Sequence, residues 1–306
     1  MNHNPFFSIV IPVFNRDALV GRCIRSVLSQ SFKDFEIIII DNGSTDNTAK
    51  VVESFSESRI KYFYQKGTGS PANPRNNGIK YSHGEWICFL DSDDWWREEK
   101  LFLVYDALKK SSYELDVICH NENFYFEEKS KIGKKIFYGP RYEDMYKNLL
   151  IYGNCLSTSA TSVRSKFIKD NNIQFREERS FAMVEDYDFW LNIANYGGEF
   201  LFLKESLGYY SISDFNMIAN KDSWCKNLKT LLYHHTNNIQ NFCLNKNKLS
   251  NLVNIRAKLC RILYSRVYSY FEKIFKIFFV FLINPIKFMQ LLLGYLRKRI
   301  LSRYSK

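Results

Sequence analysis

The chain has 306 residues, 46% of them hydrophobic and 17% aromatic, with a net charge of +11, enough for one large domain, or a domain plus an appendage, around a sizeable core. Its seven cysteines are odd in number, scattered and without a Cys-x-x-Cys pair, which argues against a disulfide framework and a zinc site and fits a reducing, cytoplasmic compartment. The charge is uneven: from Lys226 onward there are sixteen Lys and Arg against one acid, Glu272, a net +15 that leaves the first 225 residues at −4.

Residues 7–12 read as a first buried strand, broken by Pro12. The apolar stretch at 6–14 is too short for a secretory leader. Asn15 or Asp17 is placed to cap a helix whose Leu19, Val20, Cys23, Ile24, Val27 and Leu28 share one face. Residues 35–40 form a second buried strand ending at Asp41, and Thr45 or Asp46 starts a helix through Phe55. A short third strand spans 60–64. A turn-rich loop at 66–74 leads into a helix from Arg75 to Tyr81. Strand and helix in alternation predict parallel strands with right-handed crossovers.

Residues 86–90 then run straight into Asp91, Ser92, Asp93 and Asp94. An apolar run of that length fits a strand buried on both faces. Ligands of open α/β sheets bind outside the carboxyl ends of strands. Three carboxylates within four positions repel one another unless a cation sits among them, and Mg²⁺ or Mn²⁺ is bound by such acids together with substrate phosphates. The local reading is a metal site holding a phosphorylated ligand, and the alternative is a solvated acidic turn.

Further on, the pattern predicts helices at 101–110, 142–152 and 181–196, and strands at 117–126, 159–163 and 200–203, the first of these strands with antiparallel pairing and followed by a lysine-rich hairpin or loop. Glu185, Asp186 and Asp188 lie in the N-terminal turn of the third helix, where acids favour the macrodipole. From about residue 222 the character changes to basic helical segments without an internal repeat. The apolar run 277–283 is shorter than a spanning helix needs and is interrupted by Asn284-Pro285. Residues 288–296 end in Arg297-Lys298-Arg299. Two such pieces with basic rims predict an interfacial anchor on an anionic membrane, the alternative being an extension that packs on the main domain.

In order and spacing, the segments 7–16, 37–48, 75–79, 89–94 and Glu185-Asp186-Tyr187-Asp188 resemble those of family 2 glycosyltransferases. The resemblance covers about residues 6–212. It implies an α/β fold, the GT-A nucleotide-binding sandwich with a mostly parallel central sheet, at 1–220. A basic helical extension follows at 221–306. It also implies an inverting transfer from a nucleoside diphosphate sugar, UDP- or dTDP-linked, to an acceptor hydroxyl, with Mn²⁺ or Mg²⁺ as cofactor. Pro12, Val13, Phe14 and Asn15 are similar to the loop around the nucleoside, and Asp41 to the acid that bonds the base. Arg75 resembles the arginine reaching the nucleotide or its phosphates. Asp91-Ser92-Asp93 resembles the DxD motif: Asp93 is implied as principal metal ligand, with Asp91 and Asp94 helping to hold ribose, metal or its waters. Asp186 is implied as the general base, with Glu185 as the alternative.

Asp188 reads better as an orienting or capping residue, and Trp95 and Trp96 as packing or a sugar platform. The chain departs from the family pattern at Pro74, where alanine is commoner, and at Tyr210-Ser211-Ile212-Ser213, where many relatives place a histidine at the position of Ser213. His234 and His235 receive no role from the sequence. The implied acceptor is a lipid-linked saccharide of bacterial surface polysaccharide assembly, on the inner face of the membrane, and nucleic acid is not an expected partner. The competing readings are a nucleotidyltransferase, disfavoured by the absence of glycine at 12–17, and a non-catalytic nucleotide-sugar-binding or membrane scaffold protein.

Overall fold

The structure is a computed structural model that describes residues 4–112, 114–213, 221–237, 251, 253–259 and isolated helical positions between 276 and 292. Strands β1 (Phe7–Val13), β2 (Phe35–Asp41), β3 (Ile60–Tyr64) and β4 (Trp86–Phe89) lie in the order β3-β2-β1-β4 and are all parallel. Helices α1 (Asp17–Leu28), α2 (Thr48–Glu53) and α3 (Ala72–Tyr81) make the crossovers. The sheet continues through β8 (Thr161–Arg164), β6 (Val117–Phe126), β9 (Phe200–Ile212) and β5 (Trp95–Trp96), with β7 (Lys131–Ile136) paired to β6. This half is mixed: β8 runs antiparallel to β4 and β6, while β6 and β9 are parallel. The predicted β6 is thus antiparallel to β7 and β8, and the lysine-rich segment after it is strand β7.

Alternation along the strands builds two cores. Ile9, Ile11, Ile37, Ile39 and Cys88 face α1 and α4 (Lys100–Lys110), meeting Val20, Ile24, Leu101 and Val104. Val10, Ile87 and Phe89 face the other way, onto a core that includes α5 (Met145–Tyr152), α6 (Ser165–Asp170) and α7 (Glu185–Asn195). Period-two alternation in a doubly covered sheet fills both faces with apolar side chains, giving three layers.

Several boundaries differ from the sequence expectation for identifiable reasons. Pro12 does not break β1, which runs on to Val13. Val10 O accepts Leu90 N at 3.0 Å, so the backbone two residues on faces the same side, beyond the β4 ladder that ends at Val10 and Phe89. The N–H that proline lacks has no ladder partner there. Neither Asn15 nor Asp17 caps α1: Arg16 holds the cap position, Asp17 is the first helical residue, and Asn15 stands at φ +49°. α2 starts at Thr48, with Asp46 Oδ1 accepting its amide at 2.9 Å. β9 extends nine residues beyond the predicted 200–203, because irregularities in its pairing with β6 around Asn121 absorb the polar Lys204-Glu205 and the ladder resumes at Ser206.

The segment 221–237 forms helix α8 (Lys221–Asn237), whose Leu228, Leu231 and Leu232 enter the same core as α7. Val253 and Ile255 join it as well. Most of the predicted anchor at 274–301 lies outside the described residues. Among the described residues no helix is long and apolar enough to cross a membrane.

Candidate active site

The carboxyl ends of β1, β2 and β4 converge on one edge, where three loops are tied together. Asn15 stands in the left-handed backbone region, which asparagine adopts more readily than most residues. Its N–H donates to Ser44 Oγ at 2.9 Å and its Oδ1 accepts Thr45 N at 2.8 Å. Asp41 Oδ1 accepts Ser44 N and Oδ2 accepts the Tyr62 hydroxyl, both at 2.7 Å. Asp41 is thereby 1% exposed with both oxygens engaged. Pro12 and Val13 are buried within β1, so of the four predicted nucleoside-loop residues only Phe14 and Asn15 lie in the loop, Phe14 being 51% exposed.

The acidic turn after β4 is the centre of the site. Asp91 Oδ1 accepts Arg75 Nη2 at 2.6 Å, while Arg75 Nη1 donates to Glu185 Oε1 at 3.1 Å. Arg75 is 4% exposed and Glu185 equally buried, so the arginine bridges two acids inside the protein. Burial would lower its pKa, but Asp91 and Glu185 outweigh that and raise it. The bridge sets the acidic turn and the start of α7 one guanidinium apart.

Asp94 turns inward: Oδ2 accepts Ser159 Oγ at 2.5 Å, Oδ1 accepts Ser211 N at 2.7 Å, and 3% of the residue is exposed. Ser92 is buried between the acids. Among the described residues no other side chain bonds the Asp93 carboxylate, which is partly exposed, although Asp93 O accepts Arg22 Nη2 at 2.9 Å. Burial and then Asp91 raise the Asp93 pKa, against Arg16 and Arg22. Burial, Asp93, Glu122 and Asp91 push Asp94 well above the ordinary carboxylate range. Among the described residues no three His, Cys, Asp or Glu side chains form a ready-made metal cage. The donors on offer are hard oxygens with one carboxylate unengaged, which fits Mg²⁺ or Mn²⁺ completing its shell from substrate phosphates and water.

At the N-terminus of α7 the two predicted base candidates separate. Glu185 is held by Arg75. Asp186 is partly exposed, with Oδ1 accepting Tyr187 N at 2.7 Å and Oδ2 accepting Asn154 Nδ2 at 3.3 Å. Burial and then Glu185 push its pKa up to about 7, against the pull of Arg75. Asp188 points away: Oδ1 meets His235 Nε2 at 2.9 Å and Oδ2 meets Arg176 Nε at 3.2 Å. Burial would raise Asp188, but the hydrogen bond and charge of His235, with Arg176, outweigh it and hold the carboxyl below its usual range. The two unassigned histidines thus dock α8, with His234 Nε2 2.9 Å from Arg176 Nη2.

Trp96 is buried, its indole N–H donating to Ser159 O at 2.7 Å. Trp95 carries the Arg22 guanidinium 3.7 Å from a ring centroid and stacks on Tyr209 at 4.9 Å. Trp96 packs in the interior, whereas Trp95 keeps part of its surface exposed. Arg22, Asn154 and Ser159 were invisible to sequence reasoning, since each sits in a segment whose local pattern carries no chemical signal, and Ser211 was noted only within the 210–213 stretch that departs from the family pattern.

The model of the family Glycosyl transferase family 2 matches residues 8–172, and the chain belongs to that family. Among curated relatives, UDP-Glc:alpha-D-GlcNAc-diphosphoundecaprenol beta-1,3-glucosyltransferase WfgD of Escherichia coli is 30% identical over 226 residues, 71% of this chain and 83% of that protein. GalNAc(5)-diNAcBac-PP-undecaprenol beta-1,3-glucosyltransferase of Campylobacter jejuni is 42% identical over 96 residues, 29% of this chain and 30% of the relative. Glycosyltransferase GlyA of Streptococcus pneumoniae is 29% identical over 153 residues, 49% of this chain but only 22% of GlyA, so the chain spans a small part of some relatives. Among solved structures, Staphylococcus aureus TarS in complex with UDP-GlcNAc aligns with a TM-score of 0.64 at 20% identity, over 86% of this chain and 74% of that one. Mannosyltransferase PcManGT of Pyrobaculum calidifontis, in complex with GDP-Man and Mn²⁺, aligns with a TM-score of 0.59 at 11% identity, over 100% and 89%. The fold is the α/β sandwich that the sequence resemblance implied.

Proposed function

We propose that the chain transfers a sugar from a nucleoside diphosphate sugar to an acceptor hydroxyl, with inversion at the anomeric carbon. The observation that carries this reading is the Arg75 bridge. It engages Glu185, leaves Asp186 as the unpaired acid of the pair, and holds α7 beside the acidic turn. In a single displacement the acceptor oxygen forms a bond to the anomeric carbon as the bond from that carbon to the diphosphate oxygen breaks. The electron pair leaves on the diphosphate, and the hydroxyl proton passes to Asp186. A base titrating near neutrality suits that task and contributes about 10²–10⁴-fold. Asn154 orients the Asp186 carboxylate. Asp93 would hold Mn²⁺ or Mg²⁺, with Asp91 beside it, and the metal supplies Lewis-acid stabilisation of the leaving diphosphate when bound. Asp94, with both oxygens engaged, leaves the principal ligand role to Asp93.

A UDP- or dTDP-sugar is the favoured donor, since each Asp41 oxygen keeps a second lone pair for a ring N–H. At 1% exposure, that contact needs the 42–44 turn or Tyr62 to give way on binding. The acceptor we propose is a lipid-linked saccharide of surface polysaccharide assembly, the support being the undecaprenol-linked substrates in the names of the Escherichia coli and Campylobacter jejuni relatives. The same reading divides the chain into a catalytic unit at 1–220 and an extension at 221–306, whose α8 packs into the main core and whose later part associates with the membrane on the cytoplasmic face. The exposed apolar side chains of Phe278, Leu282, Met289 and Leu292 support it. The full chain is expected to sediment with anionic vesicles and not with neutral ones, and failure to bind either removes the membrane part of the proposal.

The test of the chemistry is a screen of UDP-, dTDP- and GDP-sugars with Mn²⁺ or Mg²⁺, recording release of nucleoside diphosphate. The expected result is metal-dependent hydrolysis of one donor, lost in Asp93→Ala and Asp186→Ala. Donor binding without turnover, even with acceptors supplied, would turn the reading into a non-catalytic nucleotide-sugar-binding protein. No donor binding by calorimetry with metal present overturns both.

A further inference from the structure

Ser159, in the loop that precedes β8, lies beneath the acidic turn and touches three parts of it. Its hydroxyl accepts Asp91 N at 3.1 Å and donates to Asp94 Oδ2 at 2.5 Å, and its carbonyl accepts the Trp96 indole N–H at 2.7 Å. Ser211 N, from β9, completes the capture of Asp94 at 2.7 Å. Ser159 is 1% exposed and Asp94, Trp96 and Ser211 are each 3% exposed, so this frame is dry. The turn is therefore pinned at Asp91 and at Asp94, on either side of Asp93. A hydrogen bond donated to a buried carboxylate is among the stronger ones, and leaving the acceptor unpaired is costly. Three acids in four positions would otherwise move apart by mutual repulsion whenever no cation holds them together.

We propose that Ser159 and Asp94 are positioning residues that preset the Asp93 carboxylate for a divalent cation carrying the donor diphosphate, and that Asp94 acts through the turn rather than as a ligand. This rests on the glycosyltransferase reading above.

The test titrates UDP, dTDP and GDP into the full-length wild-type protein by calorimetry, with and without Mn²⁺, and takes the ratio of the two affinities for the nucleotide that binds. Asp94→Asn can still accept from Ser211 N and can donate its amide to Ser159 Oγ, so a positioning role predicts a ratio within about threefold of wild type, whereas Asp93→Asn collapses it. Ser159→Ala is expected to cut the ratio about tenfold, the size of one buried hydrogen bond left unmade, while nucleotide affinity without metal stays near wild type. A general loss of stability would lower both affinities together and leave the ratio alone. Should Asp94→Asn fall as far as Asp93→Asn, Asp94 is a ligand and the inference is overturned. An unchanged ratio in Ser159→Ala overturns the role of Ser159. A wild-type protein that binds none of the three nucleotides fails the underlying reading, and that failure is seen before any variant is made.

Discussion

Replacing Arg75 by methionine removes the cation between Asp91 and Glu185 while keeping most of the side-chain volume. The Arg75 and Glu185 side chains are 5% and 6% exposed, whereas Asp91 is 32% exposed. Removing one partner of a buried pair costs about 3–5 kcal/mol because the other charge is left unpaired. Asp91 can regain water, so the penalty falls mainly on Glu185 and the lower end, ~3 kcal/mol, is expected. At roughly 2–4 °C per kcal/mol for a large domain, Tm falls by roughly 6–12 °C. Arg75 also pulls the Asp186 pKa down, so its loss moves the acidic limb of the pH–rate profile upward from about 7. Urea melts give the first quantity and kcat/KM against pH the second. Adding Glu185→Gln to Arg75→Met removes the orphaned charge and should recover part of both losses. A single variant within ~1 kcal/mol of wild type, or a double variant no better than the sum of the two singles, would refute the bridge as the strut between turn and helix.

Glu185→Gln alone removes the charge that raises Asp186, so the acidic limb is expected to shift below pH 7, read from the same profile. Gly78→Ala places a methyl 2.2 Å from Val10 Cγ1 and 3.0 Å from Cγ2; overpacking of this kind costs about 1–3 kcal/mol, measurable by denaturation, and a shift of α3 carries Arg75 with it. Asp188 has its pKa held below the usual range, so it adds stability above its unfolded pKa of about 3.9 and loses it as pH falls through the folded value. Asp188→Asn should therefore lower Tm at pH 7 and make less difference near pH 3; equal losses at both would show that the contacts with His235 and Arg176 are not the source.

Much of the parallel half of the sheet was legible because its physics is local. Strands β1, β2 and β4 are continuous apolar runs ended by polar turns, and α1 carries its buried face at helical spacing. The acidic turn stood out as a cluster of carboxylates at a strand end, whereas the Glu185-Asp186 pair, favoured at a helix start by the macrodipole in any case, was singled out by the family resemblance. The mixed half was less so. β5 is two residues long and exists only because β9 lies beside it, and the second part of β9 is too polar to declare itself without the ladder from β6. Local pattern could not anticipate that Arg75 faces inward, since its two acids lie 16 and 110 residues away.

The amino-acid sequence by itself determined the family, the parallel crossover core and the acidic segments at the end of β4 and the start of α7, because those depend on residue type and short-range periodicity. Only the tertiary structure decided which of these acids meet a partner and which donors reach them. Asp91, Asp94, Glu185 and Asp188 are each engaged by a buried or half-buried partner from a distant element, whereas among the described residues no side chain bonds the Asp93 carboxylate and Asp186 is held only by the Tyr187 amide and Asn154. In an interior of low dielectric, a carboxylate is defined by the donor that reaches it, and those donors come from segments that folding alone brings together.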